Sequence, residues 1–135
     1  MDVNLEKVNF TFTSKPLLVG GIAKEYYNLR KCGEDIDIVL SHDDYERLAQ
    51  KYPDKQKEIF GDLAIQIDEL DLRKTVCLLD YAFLSEGAVE AGEFLIISLE
   101  KLLYMTALAM EKPKYQKDLK LIVAKILEML YKDHK

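Results

Sequence analysis

The chain has 135 residues, of which 49% are hydrophobic and 32% charged, and its formal net charge is −5. This length predicts one domain over residues 1–135, and the composition excludes a disordered chain. No apolar run approaches the roughly 18 residues that a membrane span needs, and the N-terminus lacks a signal-peptide pattern, so we expect a cytoplasmic protein that does not enter a membrane. The negative charge argues against a generally basic nucleic-acid scaffold.

Short apolar runs alternate with amphipathic segments in the first third of the chain. Period-two or continuous apolar runs indicate strands, and a spacing of three to four residues indicates a helix. In chain order we predict a short strand or an extended lead-in over 8–12, a core strand over 17–19, a helix over 22–29, a connection over 31–34 and a second strand over 36–40.

The middle of the chain contains one clear helix and one clear strand. Ser41 and Asp44 have the spacing of an N-cap and an acidic N3 residue, so we predict a helix from Ser41 to about Lys51. The other expectations are a loop or short turn over 58–62, a third strand over 63–68, strand or helix for 76–79 and 81–84, and a loop bracketed by Gly87 and Gly92.

Helices dominate the last third of the chain. A short strand over 94–97 precedes Ser98, which is placed as the cap of a helix that ends before Pro113. The last helix is predicted over about 115–131, with six apolar residues on one face: Leu119, Ile122, Val123, Ile126, Leu127 and Leu130. The order of elements predicts an α/β or α+β domain with a core over about 8–97 and C-terminal helices over about 98–132.

Paired glycines and an Asp-Ile-Asp triplet carry the chemistry. Gly20 and Gly21 follow an apolar strand, and thirteen residues separate them from Asp35-Ile36-Asp37. A glycine turn at a helix N-terminus lets backbone N–H groups approach a phosphate. Asp35 and Asp37 point to one face of their strand, because side chains repeat every second residue, and they form an oxygen site for Mg²⁺. This combination predicts phosphoryl or nucleotidyl transfer.

This glycine–carboxylate spacing, in its strand–helix–strand setting, resembles the signature of the nucleotidyltransferase superfamily related to DNA polymerase β. Within it, the chain resembles the small stand-alone proteins grouped with the AbiEii type of abortive-infection toxin, whose C-terminal pattern is matched by Ser98-Leu99-Glu100 and Lys117-Asp118-Leu119. The resemblance implies a mixed sheet flanked by helices. It also implies Mg²⁺- or Mn²⁺-dependent transfer of an NMP group from an NTP to a hydroxyl of RNA, protein or a small molecule, in a setting that includes an antitoxin-type partner.

The resemblance also implies a third carboxylate on a later strand, which binds metal or deprotonates the acceptor. Asp68 is the best candidate for this catalytic and metal-binding role, beside Asp35 and Asp37. Gln66 lies on the same face two residues earlier, and an amide at that position cannot accept a proton at neutral pH. Asp80 is a weaker substitute.

Nucleotide contacts are expected from the glycine turn and from two cations near it. Gly20 and Gly21 hold the β- and γ-phosphates, Lys24 lies on the first turn after them, and Arg30 is the arginine that the family usually places before the carboxylate strand. A solvated Lys24 and a structural ion pair of Arg30 are the competing interpretations.

A second function hypothesis is a nucleotide- or partner-binding module that keeps the fold without turnover. It is motivated by Gly21, where many active members have Ser, and by Met105-Thr106, where the related toxins often carry Lys. A basic strip of four lysines remains open as an RNA contact or a solvated helix face: Lys112, Lys114, Lys117 and Lys120.

Overall fold

The computed structural model describes residues 3–132, which form a seven-stranded mixed sheet, a separate two-stranded sheet and five α-helices. The strands are β1 (Leu17–Leu18), β2 (Ile36–Val39), β3 (Gln56–Ile59), β4 (Asp62–Ile67), β5 (Leu70–Arg73), β6 (Thr75–Val76), β7 (Leu79–Asp80), β8 (Val89–Ala91) and β9 (Phe94–Ile96). The helices are α1 (Gly20–Tyr26), α2 (His42–Lys51), α3 (Tyr81–Leu84), α4 (Leu99–Leu108) and α5 (Pro113–Tyr131). No helix in this part of the chain has both the length and the hydropathy needed to cross a membrane.

The large sheet has the order β3-β4-β5-β2-β1-β9-β8. β2 is parallel to β5, β1 is parallel to β9, and the other neighbours are antiparallel. The predicted mixed α/β class is confirmed. The parallel pairing of β2 with β5 makes Asp37 the register partner of Asp71.

The core lies along the central strands, where apolar side chains are covered on both faces. Fully buried residues there include Leu17, Leu18, Ile38, Leu70, Leu72 and Ile96. The helix α2 packs Tyr45 and Leu48 against this core, and the Ser41 hydroxyl accepts a hydrogen bond from the Asp44 backbone N–H as expected of an N-cap. Ser98 caps α4 in the same way.

Three strands and the bounds of two helices differ from the sequence prediction. The first helix, predicted over 22–29, is α1 at Gly20–Tyr26. The strand β3 lies partly in the predicted 58–62 loop, because an exposed edge strand carries little apolar periodicity to reveal it. The strands β5 and β8 were not predicted either. The helix α5 begins two residues early, at Pro113, since proline at a first helical position loses no hydrogen bond. Residues 9–16 form no strand, and a short 3₁₀ turn spans Glu6–Val8.

The apolar face predicted for α5 is buried only in part. Ile122 is fully buried, whereas Leu127 is 47% exposed and Leu130 is 63% exposed. The physical reason is length: α5 has 19 residues and packs on α4, which has 10, so its last turns extend past its neighbour.

Candidate functional site

A cleft of about 800 Å³ brings the sheet, the glycine turn and the two C-terminal helices together. Its sheet wall comprises the glycine turn and the first residues of β2 and β5, and its helix wall comprises the end of α4 and the first half of α5. Six of the seven predicted site residues line this cleft: Gly20, Gly21, Lys24, Arg30, Asp35 and Asp37. Asp68 does not.

The carboxylate beside Asp37 is Asp71. The two residues are register partners on neighbouring parallel strands, so their side chains share one face of the sheet. Asp71 is 5% exposed and the Asp37 side chain is 31% exposed. Asp35 lies just before β2, with its side chain exposed at the same wall. With Glu34, which also lines the cleft next to Asp35, this wall carries four carboxylates.

The expectation for Asp68 needs correction. β4 ends at Ile67, and Asp68 lies in the two-residue turn to β5 with φ +54°. Its side chain is 73% exposed and lies 3.8 Å from the Lys7 ammonium. Since this turn reverses the chain, the next strand brings its own carboxylate, Asp71, to the position expected of Asp68.

The two alternatives to Asp68 also lie elsewhere. Gln66 is on β4, one strand further from Asp37, and accepts a hydrogen bond from Lys57. Asp80 caps α3 by accepting from the Phe83 backbone N–H. One feature of the sequence indicates the residue that lies beside Asp37: Leu70-Asp71-Leu72 repeats the apolar–Asp–apolar pattern of 36–38.

The Arg73 guanidinium links the two neighbouring carboxylates and was missed at the sequence level. Its Nε lies 3.3 Å from Asp37 Oδ1, and its Nη2 lies 3.0 Å from Asp71 Oδ2. Burial raises the pKa of Asp37, Arg73 opposes the increase, and the Asp71 carboxylate adds to it. Two like charges on adjacent strands are thus kept together by one internal cation.

The donor set suits a hard divalent cation. Carboxylate oxygens are the ligands that Mg²⁺ and Mn²⁺ prefer, and the buried Asp71 Oδ1 accepts no hydrogen bond from residues 3–132. The Lys57 ammonium, at 3.5 Å, is its nearest ion-pair partner. No three His, Cys, Asp or Glu side chains of the described chain already surround one cation position. We infer that the residues fit such a cation, which would compete with Arg73 for them.

A buried ion cluster forms the opposite charge pole of the cleft. Asp118 of α5 accepts hydrogen bonds from Lys24 Nζ at 2.8 Å, from Arg30 Nε at 2.7 Å and from Arg30 Nη2 at 2.9 Å. The side chains of Lys24 and Asp118 are 2% and 4% exposed. Burial lowers the pKa of Lys24 in spite of Asp118. Burial alone would raise the pKa of Asp118, but the hydrogen bonds from Arg30 and Lys24 outweigh it and lower that pKa.

This cluster shows what Lys24 and Arg30 bind within the chain. Both side chains pair with one carboxylate, so Lys24 is not solvated and Arg30 is part of an ion pair. Their contact with a phosphate stays a prediction. Two cations around one anion leave one positive charge in excess at the cleft. Arg30 Nη1 would lie 3.5 Å from a Cβ at Gly21, so this charge is next to the glycine turn.

Gly20 holds the backbone against the carboxylates. Its φ is +58°, and a Cβ there would lie 2.9 Å from Asp37 Oδ2. Both facts exclude any other residue without strain. The sequence predicted that the backbone of the glycine turn approaches a phosphate. Within the chain itself, the group that this backbone approaches is the Asp37 carboxylate.

The helix wall is basic at its outer part. Lys112, Lys114 and Lys117 line the cleft, whereas Lys120 on the same helix does not. All four side chains are exposed, and none forms an ion pair with any residue between 3 and 132. The centroid of the Tyr115 ring lies 5.1 Å from the Lys24 ammonium and 4.8 Å from the Lys114 ammonium.

Comparisons with models of known protein families and with curated proteins found no match to this chain. Membership of the nucleotidyltransferases therefore stays a prediction, and its support is the motif together with the site geometry.

Proposed function

We propose that this chain is a metal-dependent nucleotidyltransferase that moves an NMP group from an NTP to a hydroxyl acceptor. The observation that carries the proposal is the charge separation across one cleft. Asp35, Asp37 and Asp71, with Arg73 as their internal cation, leave two negative charges at the sheet wall, and Glu34 adds a third. The cluster of Lys24, Arg30 and Asp118 leaves one positive charge beside the glycine turn. A nucleoside triphosphate with its divalent cation matches both poles.

The chain's residues divide the work accordingly. Asp37 and Asp71, with Asp35 beside them, would hold Mg²⁺ or Mn²⁺, which neutralises the phosphate charge that develops during an in-line displacement. Lys24 and Arg30 attract the triphosphate. Since α1 has only seven residues, these side chains supply more positive charge than its helix dipole does.

The reaction forms a bond from the acceptor oxygen to the α-phosphorus and breaks the bond from that phosphorus to the bridging oxygen of the β-phosphate. Pyrophosphate leaves, and the proton of the hydroxyl passes to a carboxylate of the sheet wall. Asp71 takes the role that the sequence assigned to Asp68. Two observations support this role: Asp71 lies beside Asp37, and its Oδ1 accepts no hydrogen bond from the described residues.

A second candidate is a module that binds nucleotide and a partner, such as an antitoxin-type protein, without turnover. Arg73 is the observation in its favour, because its guanidinium pairs with the two carboxylates that would otherwise bind metal. If the guanidinium keeps this place when nucleotide binds, the chain retains the fold and the anion pole but not the chemistry.

One comparison of variants separates the two candidates. The protein is incubated with Mg²⁺ or Mn²⁺ and each α-³²P-labelled NTP, and transfer to the protein itself, to RNA or to small hydroxyl compounds is counted. We expect Asp71→Asn to abolish transfer, while Asp68→Asn, a matched change three residues away, leaves it at the wild-type rate. Circular dichroism checks that both variants fold. Nucleotide binding by the wild type without transfer to any of the three acceptors would establish the second candidate instead.

A further inference from the structure

Two neighbouring hairpin turns hold large apolar residues in a backbone conformation that normally favours glycine. Phe60 has φ +51° and precedes Gly61 at φ +91°, in the two-residue turn between β3 and β4. Cys77 and Leu78, at φ +51° and +62°, form the two-residue turn between β6 and β7. Asn-Gly and Asp-Gly are the residues that such turns prefer. Phe60 is nevertheless 99% exposed and Leu78 is 69% exposed, so packing within the chain does not compensate for the strain.

These two turns are in contact with each other, and the second of them borders the cleft through Cys77. A Cβ at Gly61 would lie 3.2 Å from the Leu78 side chain, which places the two turns in contact. The Asp62 carboxylate fixes the second turn by accepting hydrogen bonds from the backbone N–H groups of Cys77 and Leu78, both at 2.9 Å. We call the exposed pair Phe60 and Leu78 the apolar tip.

Apart from the buried Asp118, the helix side of the cleft presents three lysines against one carboxylate, Glu111, whereas the lining as a whole has equal numbers of cationic and anionic side chains. The lysines are Lys112, Lys114 and Lys117, and none of them has an ion-pair partner among residues 3–132. The whole chain has a net charge of −5, so this concentration of cations is local. Evenly distributed surface charge does not explain three unpaired lysines at one cleft.

We propose that the acceptor is a single-stranded polynucleotide, whose phosphates contact Lys112, Lys114 and Lys117 and one of whose bases stacks on the apolar tip. Basic side chains that follow a backbone, combined with exposed aromatic rings, are how proteins bind single strands, because every base has a π-face and every nucleotide a phosphate. Stacking on a tip needs an unpaired base, which a duplex does not offer. The inference rests on the proposed function for the transfer step alone; the binding surface is independent of it.

The substitution Phe60→Asn tests the tip without endangering the fold. It creates Asn-Gly, a favoured sequence for this turn, so thermal stability should be kept or increased. Fluorescence anisotropy with a labelled single-stranded 12-nucleotide RNA, and with DNA of the same sequence, measures binding without NTP or metal. We expect Phe60→Asn to weaken binding about fivefold or more, and Phe60→Leu, which keeps apolar area, to weaken it similarly because the ring is lost. The comparison of RNA with DNA shows which of the two the surface prefers.

Charge reversal tests the lysines against a matched control on the same helix. Lys117→Glu should weaken binding strongly, whereas Lys120→Glu, the same change outside the cleft, should leave it near the wild-type value. The logarithm of the binding constant should fall with the logarithm of salt concentration at a slope of about −2, as three phosphate contacts predict for a single strand. Replacing Lys112 and Lys117 by Gln should reduce that slope to about −0.7.

The inference is overturned if neither oligonucleotide binds, if Phe60→Asn binds as the wild type does, if Lys120→Glu is as damaging as Lys117→Glu, or if a duplex binds as well as its single strand. Failure of the proposed function gives a different result. In that case the oligonucleotides bind with the expected pattern, but no labelled nucleotide is transferred to them. Transfer to a small hydroxyl compound without oligonucleotide binding would refute the polynucleotide acceptor and leave the proposed transfer activity in place.

Discussion

Gly20 lies where the backbone of α1 comes closest to the Asp37 carboxylate. Its positive φ and the 2.9 Å distance from a Cβ to Asp37 Oδ2 act together, so a side chain there would strain the backbone and push the carboxylate away from Arg73 and Asp71. Gly21 differs from it. Its φ is not positive, and a Cβ would meet Cys32 Sγ at 3.4 Å, an ordinary contact. The two glycines of the motif therefore have different roles.

Alanine substitution should separate these roles. We expect Gly20→Ala to lower the free energy of unfolding by about 1–2 kcal/mol, since a left-handed conformation costs that much for a residue with a Cβ. It should also weaken Mn²⁺ binding, because Asp37 is displaced. Gly21→Ala should be neutral or stabilising, because alanine favours a helix more than glycine. Urea denaturation and calorimetric titration with Mn²⁺ measure the two effects, and greater damage from Gly21→Ala would contradict this assignment.

At the scale of elements, the sequence located the strand that carries Asp37, with Asp35 just before it, but not the strand that carries Asp71. The reason is physical. Asp35 and Asp37 lie on one short apolar run, so their spacing fixes their common face. Asp71 becomes their neighbour only through the parallel pairing of β2 with β5, a contact between residues far apart in the chain. The apolar run of β4 also continues into the turn at Asp68, which concealed the end of that strand.

The helix α5 is attached to α1 by charge. Its Asp118 is the only anion among the described residues that pairs with Lys24 and Arg30, so this carboxylate fixes the helix wall relative to the glycine turn. The sequence motif Lys117-Asp118-Leu119 was recognised, but its contact was not. In the sequence, Asp118 next to Lys117 looks like an ordinary exposed helix residue. Its burial depends on the packing of α1, which is far from it in the chain, against α5.

The substitution Asp118→Asn should show how strongly this attachment depends on charge. It leaves the Lys24 ammonium buried without an anion, and breaking a buried pair in this way costs about 3–5 kcal/mol. Because the folded pKa of Asp118 is lowered, its contribution to stability is full above the unfolded value of about 3.9 and is lost as pH falls through the folded pKa. The difference between wild type and variant, measured by urea denaturation, should therefore be largest near pH 7 and shrink below about pH 4.

The exposed Asp54 supplies the control for that measurement. Asp54→Asn removes the same charge from a position outside the cluster and should change stability by less than about 0.5 kcal/mol at any pH. An equal effect of Asp54→Asn, or a loss in Asp118→Asn that does not depend on pH, would show that the attachment of α5 is a matter of packing alone.

Across the whole molecule, the sheet and the helical pair contribute opposite charges to one cleft. The acidic sheet wall repels a triphosphate that arrives without a cation, while a cation bound only by the sheet wall competes with Arg73 and lacks phosphate oxygens as further ligands. The cation thus neutralises the charge of the triphosphate, and the triphosphate supplies the cation with further oxygen ligands. Binding of the two should be coupled, and coupling is visible as stability, because a ligand that binds only the folded state stabilises it.

We expect the increase in Tm with cation and nucleotide together to exceed the sum of the increases that each gives alone. With an NTP analogue that has a methylene group between the α- and β-phosphates, Mg²⁺ alone and analogue alone should each raise Tm slightly. Together, at a hundredfold excess over Kd, they should add about 2.7 kcal/mol of stability, or roughly 10 °C for a chain of this size. Asp37→Asn should remove the excess, and Lys120→Gln, outside the cleft, should retain it. Scanning calorimetry measures the Tm of each protein without ligand, with each ligand alone and with both, and additive shifts in the wild type would mean that cation and nucleotide do not share this cleft.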